Sequence, residues 1–319
     1  YLESGKSLKK RYFAERGRYP IGAGGRVLRD HKKFGWLTAE GAIVHSSNIG
    51  IYKMAKELGP RRLYRMARRF GFGSLSGVDF PGEAKGILRR PKRWSRTSLA
   101  AVSIGQEIAV TPLQMVMAVA AIANGGVMPV AHIVERIERD GNVIRPSETG
   151  VPKRVISRRV ARALGRVMRQ VVAQGTGASA EVPGYGAAGK TGTAQKVEPG
   201  SKGYSKDKFI MSFVGFVPYR NPRIALLVVF DEGKVKSGAW GGTVAAPAWR
   251  RIAWQSLRYL RVPPKGARVV ALKDEIFPAR RLPRAEKISF GEKVFGLVEG
   301  VREALHGKRS SRRDLEQAR

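Results

Sequence analysis

Ten residues, Gly184 to Thr193 (GYGAAGKTGT), set one lysine and two threonines among four glycines. Two chemistries fit that spacing. As Gly184-x-x-x-x-Gly189-Lys190-Thr191 the segment satisfies the phosphate-loop pattern, in which successive backbone N–H groups wrap a polyphosphate. As Lys190-Thr191-Gly192-Thr193 on a strand, it would hold an ammonium and hydroxyls beside a serine nucleophile. The apolar run Ile224 to Phe230, ending at Asp231, resembles a magnesium-holding strand end and favours the first reading. The flanks oppose it. A phosphate loop follows a buried strand and opens directly into a helix, whose N-terminal N–H groups face the phosphates. Gly175 to Pro183 has no apolar stretch long enough for that strand, and Glu198-Pro199-Gly200-Ser201 stops any helix within two turns of Thr191. The stretch from Ala187 to Val197 therefore reads as a glycine-opened strand running into a loop.

Such a strand needs a second wall, and His45-Ser46-Ser47-Asn48 is the candidate. It interrupts Leu37 to Leu58, where Thr38 can cap and Ile43, Val44, Ile49, Ile51, Met54 and Leu58 keep roughly helical spacing. A hydroxyl and a carboxamide two residues apart cannot share one helical face. Presenting Ser46 and Asn48 to one cleft thus requires a tight turn between two helices. Taken alone, a polar break in an ordinary amphipathic pair fits the same residues.

Ser46-Ser47-Asn48 together with Lys190-Thr191-Gly192-Thr193 resembles the second and third motifs of the class B penicillin-binding proteins, and the septal members most. Further stretches agree in family order: Gly71-Phe72-Gly73, Phe80-Pro81-Gly82-Glu83, Ser103 to Ile108 leading to Thr111-Pro112-Leu113-Gln114, Gly175-Thr176-Gly177, Phe213 to Pro218, and Ala245-Ala246-Pro247. The resemblance implies the penicillin-recognising transpeptidase fold, an α/β (α+β) architecture with an antiparallel sheet packed between helices and related to the serine β-lactamases. It implies a D,D-transpeptidase that cross-links stem peptides ending in D-alanyl-D-alanine through an acyl-serine intermediate. Peptidoglycan stem peptides, β-lactams, a membrane-bound glycosyltransferase and division proteins are its implied partners. The periplasmic face of the bacterial inner membrane is its implied location, and no cofactor is implied. By the same resemblance Ser46 relays protons, and Lys190 supplies positive potential beside the serines. Thr191 and Thr193 donate to the substrate carboxylate, Gly192 leaves room for the peptide, and Asn48 orients the substrate amide. The N–H of Thr193 is half of an oxyanion hole.

The family's first motif, Ser-x-x-Lys, supplies the nucleophile and its activating base. Two matches occur. Ser7-Leu8-Lys9-Lys10 lies in a cation-rich stretch, and Ser205-Lys206-Asp207-Lys208 follows the third motif in what reads as a hydrophilic loop. Both are expected to be solvated surface. The family register puts the true motif about ten residues before Tyr1, so the expectation is a fragment lacking its nucleophile and inactive by itself.

Composition bounds the alternatives. The 319 residues can bury one sizeable core, and zero cysteines excludes disulfides and thiolate metal sites. His31, His45, His132 and His306 lack ligand spacing, so no metal is expected. The longest apolar run, Met115 to Ala123, is about half a membrane span. A net charge of +35 raises a nucleic-acid-binding module as a different class of function. The excess is diffuse, lacks aromatic interleaving, and fits adhesion to anionic envelope surfaces as well, so no nucleic-acid partner is expected. Five tryptophans (36, 94, 240, 249, 254) read as packing residues, with Trp240 a candidate for the cleft mouth. Within the implied fold, a β-lactamase-like hydrolase or penicillin sensor is the nearest competitor, and no deacylating glutamate stands out.

Periodicity predicts helices near 38–58, 61–70, 96–103, 112–124, 157–173 and 243–260. Strands are predicted near 131–138, 142–145, 187–197, 209–217 and 224–231, with Asp140-Gly141 a hairpin turn. The transpeptidase domain is expected over 1–262. Pro263-Pro264 opens a basic tail over 263–319, with one amphipathic helix at Phe290 to Leu305 and a disordered end.

Overall fold

The computed structural model describes residues 1–22, 26–134, 137–139, 142–144, 150–197, 203–232 and 240–265. The described residues, up to Lys265, belong to one compact unit. The expected helix at Phe290 to Leu305 and the tail's expected disorder lie outside the described residues. Lys265 N donates to Gly184 O (2.7 Å) and Tyr185 Oη to Val262 O (2.8 Å), so residues 262–265 are bonded within this unit.

Seven helices are described: α1 (Ala39–Val44), α2 (Asn48–Leu58), α3 (Pro60–Arg69), α4 (Ser98–Ser103), α5 (Pro112–Ala123), α6 (Arg158–Gln174) and α7 (Ala245–Tyr259). Local chemistry sets their starts. Thr38 Oγ1 accepts from Gly41 N, Ser47 Oγ from Gly50 N and Ser157 Oγ from Val160 N, each satisfying a donor that the first helical turn leaves unpaired. Thr111 and Gln114 form a reciprocal capping box with Pro112 at the first helical position.

The strands are β1 (Arg11–Phe13), β2 (Arg18–Pro20), β3 (Val27–Arg29), β4 (Trp36–Thr38), β5 (Val127–Met128), β6 (Ile137–Arg139), β7 (Asn142–Ile144), β8 (Lys153–Arg154), β9 (Ala188–Val197), β10 (Tyr204–Val217) and β11 (Ile224–Asp231). The last three form an antiparallel sheet in the order β11-β10-β9; β1 pairs with β4, β2 with β3, β5 with β8 and β6 with β7. Lys190 pairs with Val214 and Thr191 with Phe213, so alternate residues of β9 face opposite layers. On one face Phe213 meets Trp249 of α7 edge-to-face at 5.1 Å between ring centroids. On the other, Ala188, Val214 and Phe216 pack with Val119 of α5 and Met168 of α6. The sheet is thereby sandwiched between helices, as the resemblance implied.

Three expectations need correction. The strand expected over 131–138 is described only at 137–139; 131–134 is irregular, with Ile133 N and Val134 N both donating to Asp79. Arg139 pairs with Asn142, while the expected turn residues Asp140 and Gly141 lie outside the described residues. Ser205 to Lys208 is not a loop but the first part of β10, where Ser205 is buried and its Oγ accepts from Lys208 N (3.2 Å). Among the tryptophans, Trp249 is fully buried, but Trp36 is 61% exposed, beside Phe13 and under Arg11, rather than in a core.

Glu57 ties the start of the chain to α2. Lys6 Nζ (3.0 Å), Lys10 Nζ (2.7 Å) and Tyr12 Oη (3.0 Å) converge on its carboxylate. Burial alone would raise its pKa, but these three donors pull it down to about 2. A carboxylate held below its unfolded value stabilises the fold above the unfolded pKa and loses that contribution as pH falls through the folded one. Glu57→Gln is therefore expected to lower stability by about 1–2 kcal/mol at pH 7, after solvent screening, and to cost almost nothing near pH 2. Urea titrations of both proteins across that range check it; a pH-independent difference would mean the loss is packing alone.

Candidate active site

The helix break at His45–Ser47 is the tight turn that the residue pattern requires. Ser46 takes φ +57°, the left-handed region that a residue with a Cβ adopts at a cost. The turn is clamped from β3 and the residue after it. Asp30 Oδ2 accepts from Ser47 Oγ (2.7 Å) and its Oδ1 from Ile49 N (3.1 Å), while Asn48 Nδ2 donates to Arg29 O (2.8 Å). Ser47 is fully buried, so this is a dry, specific contact rather than a solvated one.

So held, Ser46 meets Lys190. Lys190 Nζ donates to Ser46 Oγ (2.9 Å) and to Thr191 O (3.1 Å), joining residues 144 positions apart. Because Ser46 Oγ accepts that hydrogen bond, its own proton is available to a third group. Burial brings the Lys190 pKa down to about 8. At pH 7 roughly a tenth of such a lysine is neutral, enough to exchange protons on demand. His31 lies near enough to Lys190 and His45 to feel both; its pKa is lowered by burial first, then by Lys32, Lys190 and His45 against Asp30.

The opposite face of β9 carries the threonines. Thr191 Oγ1 and Thr176 Oγ1 are 2.7 Å apart, and Thr193 Oγ1 accepts from Gly241 N (3.1 Å). An oxygen that accepts from a backbone N–H keeps its own proton for donation, so Thr193 can address an anion in the cleft. The backbones here approach closely. A Cβ on Gly241 would lie 2.4 Å from Gly192 O, and one on Gly192 2.5 Å from Ser212 Oγ. Gly241, which faces backbone, needs glycine for space, whereas at Gly192 the Ser212 hydroxyl would have to turn away. Trp240, 52% exposed, adjoins this contact. β9 is an edge of its sheet, so alternate backbone groups of Lys190 to Thr193 have no partner within it and can receive an extended peptide.

Of the sequence-predicted residues, Ser46 and Lys190 are in direct contact, Thr191, Gly192 and Thr193 continue the same strand, and Asn48 opens α2 two residues from Ser46 with its amide nitrogen on Arg29 O. Sequence reasoning missed Asp30 and Thr176. Asp30 has no local pattern, whereas Thr176 lies inside a stretch already matched to the family. Neither Ser-x-x-Lys match reaches this site. Ser7 is exposed, its Oγ accepting from Lys9 N (3.1 Å), and Lys10 is paired with Glu57. Ser205 follows Tyr204, which pairs with Val197 seven positions along β9 from Lys190, about 20 Å in a strand. The phosphate-loop reading fails on the same geometry, since Lys190 and Thr191 lie inside a strand that no helix follows directly. Among the described residues no group of three or more metal-ligating side chains converges, and no helix is long and apolar enough to cross a membrane.

Comparison with known proteins agrees with this geometry. Residues 2–253 match the penicillin-binding protein transpeptidase domain model. The chain is 37% identical over 253 residues to penicillin-binding protein PbpB of Mycolicibacterium smegmatis, covering 76% of this chain and 39% of that protein. It is 34% identical over 265 residues to stage V sporulation protein D of Bacillus subtilis, covering 81% and 40%. It thus spans about two fifths of the length of the curated relatives it matches. Among solved structures, the apo transpeptidase domain of Burkholderia pseudomallei penicillin-binding protein 3 superposes with a TM-score of 0.70 at 35% identity, over 81% of this chain and 74% of that one. Penicillin-binding protein 3 of Mycobacterium tuberculosis in complex with ampicillin gives 0.76 at 32% identity, over 84% and 61%.

Proposed function

Because the chain belongs to the penicillin-binding protein transpeptidase family, we propose that it forms most of the catalytic cleft of a peptidoglycan D,D-transpeptidase. The 2.9 Å contact between Lys190 Nζ and Ser46 Oγ carries this reading. The nucleophile is a serine placed beside Ser46 and Lys190, a position that neither Ser-x-x-Lys match among these 319 residues reaches. Its hydroxyl attacks the carbonyl carbon of the penultimate D-alanine, passing its proton through the lysine of its own Ser-x-x-Lys segment to the Ser46–Lys190 chain, and a C–O bond forms while the C–N bond to the terminal D-alanine breaks. The departing nitrogen takes a proton from Ser46, which Lys190 replenishes. An acceptor amine of a second stem peptide then attacks the ester, the C–O bond breaks, and the amine's surplus proton returns along the same chain to the serine. Thr191 and Thr193 hold the terminal carboxylate, Asn48 the substrate amide, and the N–H of Thr193 the oxyanion. A β-lactam enters the first half of this cycle and stops at the ester.

Transfer rather than hydrolysis is supported by the match of residues 2–253 to the transpeptidase domain family. The 319-residue chain is expected to show no fluorescent-penicillin label that survives denaturation, whereas a polypeptide joining it to its Ser-x-x-Lys segment is expected to label. Stable labelling of the chain alone would place the nucleophile at Ser7 or another of its own serines and overturn the assignment. Septal cross-linking, with a membrane-bound glycosyltransferase and division proteins as partners at the periplasmic face of the inner membrane, is the deployment that fits this reading.

A further inference from the structure

Between Arg61 and Arg93 the chain carries ten lysines and arginines and two acids. The fold gathers these cations rather than dispersing them. The short helix α3 has no buried residue and exposes Arg61, Arg62, Arg65, Arg68 and Arg69. The segment from Lys85 through the 3₁₀ turn Pro91–Arg93 packs alongside it. A cleft of about 710 Å³ opens between them, lined by Arg68, Lys85, Arg89, Arg90, Lys92 and Arg93, and none of its lining residues is acidic. The two acids of the stretch face away onto backbone: Asp79 accepts from Ile133 N and Val134 N, and Glu83 from Ser76 N and Gly77 N.

The cleft is built, not merely charged. Gln114, 3% exposed, donates from Nε2 to Ser74 O (2.6 Å) and Lys85 O (3.0 Å), pinning one wall from beneath. A two-way bridge between Ile87 and Ala109 fixes the same wall. Arg68 is oriented by Gly73 O (2.6 Å) and Arg89 by Glu107 (2.7 Å), so two guanidinium groups are placed before any ligand arrives. Four of the six cations are arginines, whose planar forks match the oxygens of phosphate. A concave groove admits a thin chain, while a flat bilayer reaches only its rim.

With Tyr64 the single aromatic among its lining residues, the cleft offers no row of platforms for stacked bases, and we propose that it binds a linear, phosphate-bearing polyanion without bases. It shares no residue with the Ser46–Lys190 site and stands independently of the transpeptidase reading. The test is fluorescence anisotropy of labelled linear inorganic polyphosphate with the full 319-residue chain, between about 50 and 200 mM salt. The variant Arg90→Gln/Lys92→Gln/Arg93→Gln is expected to weaken binding about tenfold or more and to reduce the slope of log affinity on log salt by about 2. Arg159→Gln/Arg162→Gln/Arg166→Gln removes the same charge from exposed positions of α6 and is expected to change affinity less than twofold. The single reversal Arg90→Glu gives the same comparison should the triple variant misfold. Equal losses from cleft and α6 variants would reduce the effect to net charge and overturn the proposal. Tighter binding of single-stranded DNA with the same number of phosphates, or a cleft-dependent affinity for phosphatidylglycerol vesicles but not for polyphosphate, would overturn it as well.

Discussion

Replacing Lys190 with methionine is expected to slow β-lactam acylation by on the order of 10³-fold in the polypeptide that carries the nucleophile, with noncovalent binding changed far less. The side chain keeps its length and loses the donor that faces Ser46 Oγ at 2.9 Å. With it go the positive potential at the serines and the source that reprotonates Ser46. Stopped-flow acylation by a fluorescent penicillin separates the rate from the binding step; a loss under tenfold would remove Lys190 from the proton path. Stability offers a second readout on the 319-residue chain itself. Burial holds the Lys190 pKa at about 8 against an ordinary value of 10.5. Below pH 8 folded and unfolded chains both carry the proton, and the fold bears the cost of a desolvated charge. Between pH 8 and 10.5 the unfolded state binds more protons than the folded one, so stability rises with pH. Methionine does not titrate. The stability of Lys190→Met relative to the parent is therefore expected to be highest near pH 7 and to fall as pH climbs to 10.5, read from urea midpoints. A difference that stays flat over that range would mean that Lys190 is not desolvated.

The parts of the site that could be read from sequence are those whose meaning is local. The strand expected over 187–197 spans 188–197, because glycines and threonines disfavour a helix there and Pro199 closes the alternative. The turn at Ser46 followed from a contradiction within a helical pattern, and Thr38 caps where expected. What stayed illegible depends on partners distant in sequence. Strands β1 to β4 are three residues each, too short to show an alternation, and are held by pairings such as Tyr12 with Leu37. β10 begins at Tyr204 rather than near 209 because Tyr204 pairs with Val197 of β9, and the polar residues 205–208 fall in the register shift before Phe209 pairs with Gln195, so a tertiary contact overrides their loop-like composition. The cation-rich start of the chain read as solvated surface, yet Lys6 and Lys10 meet on Glu57 of α2. The two missed site residues differ in kind. Thr176 lay inside a matched stretch without an assigned role, whereas Asp30 acts across 17 and 19 residues and has no local signature.

Asp30 therefore gives the sharpest test of how Ser46 is held. Its carboxylate is the acceptor for two donors of the 47–49 turn, one of them the hydroxyl of the fully buried Ser47. Asp30→Ala leaves Ser47 Oγ–H and Ile49 N–H without that acceptor, at a cost of about 1–3 kcal/mol for a buried group left unpaired, and so about 2–6 kcal/mol for the pair. The negative charge at the start of α2 is lost as well. The larger consequence is geometric. With the clamp gone, φ +57° at Ser46 rests on the Schellman cap of α1 alone, Ser46 N donating to Ile43 O (3.2 Å) and Ser47 N to Ala42 O (2.8 Å), and the hydroxyl is expected to shift from Lys190 as the start of α2 comes loose. Two readouts distinguish positioning from general destabilisation. The Lys190 pKa, followed by NMR of its side chain, is expected to rise from about 8 toward 10.5 as the turn opens and water enters. Asp30→Asn, which retains one carbonyl acceptor, is expected to restore part of the stability and part of the depressed pKa. If Asp30→Ala lowers the denaturation midpoint while Lys190 still titrates near 8, the clamp serves the fold alone, and Ser46 owes its conformation to the backbone bonds that the turn makes to Ile43 O and Ala42 O.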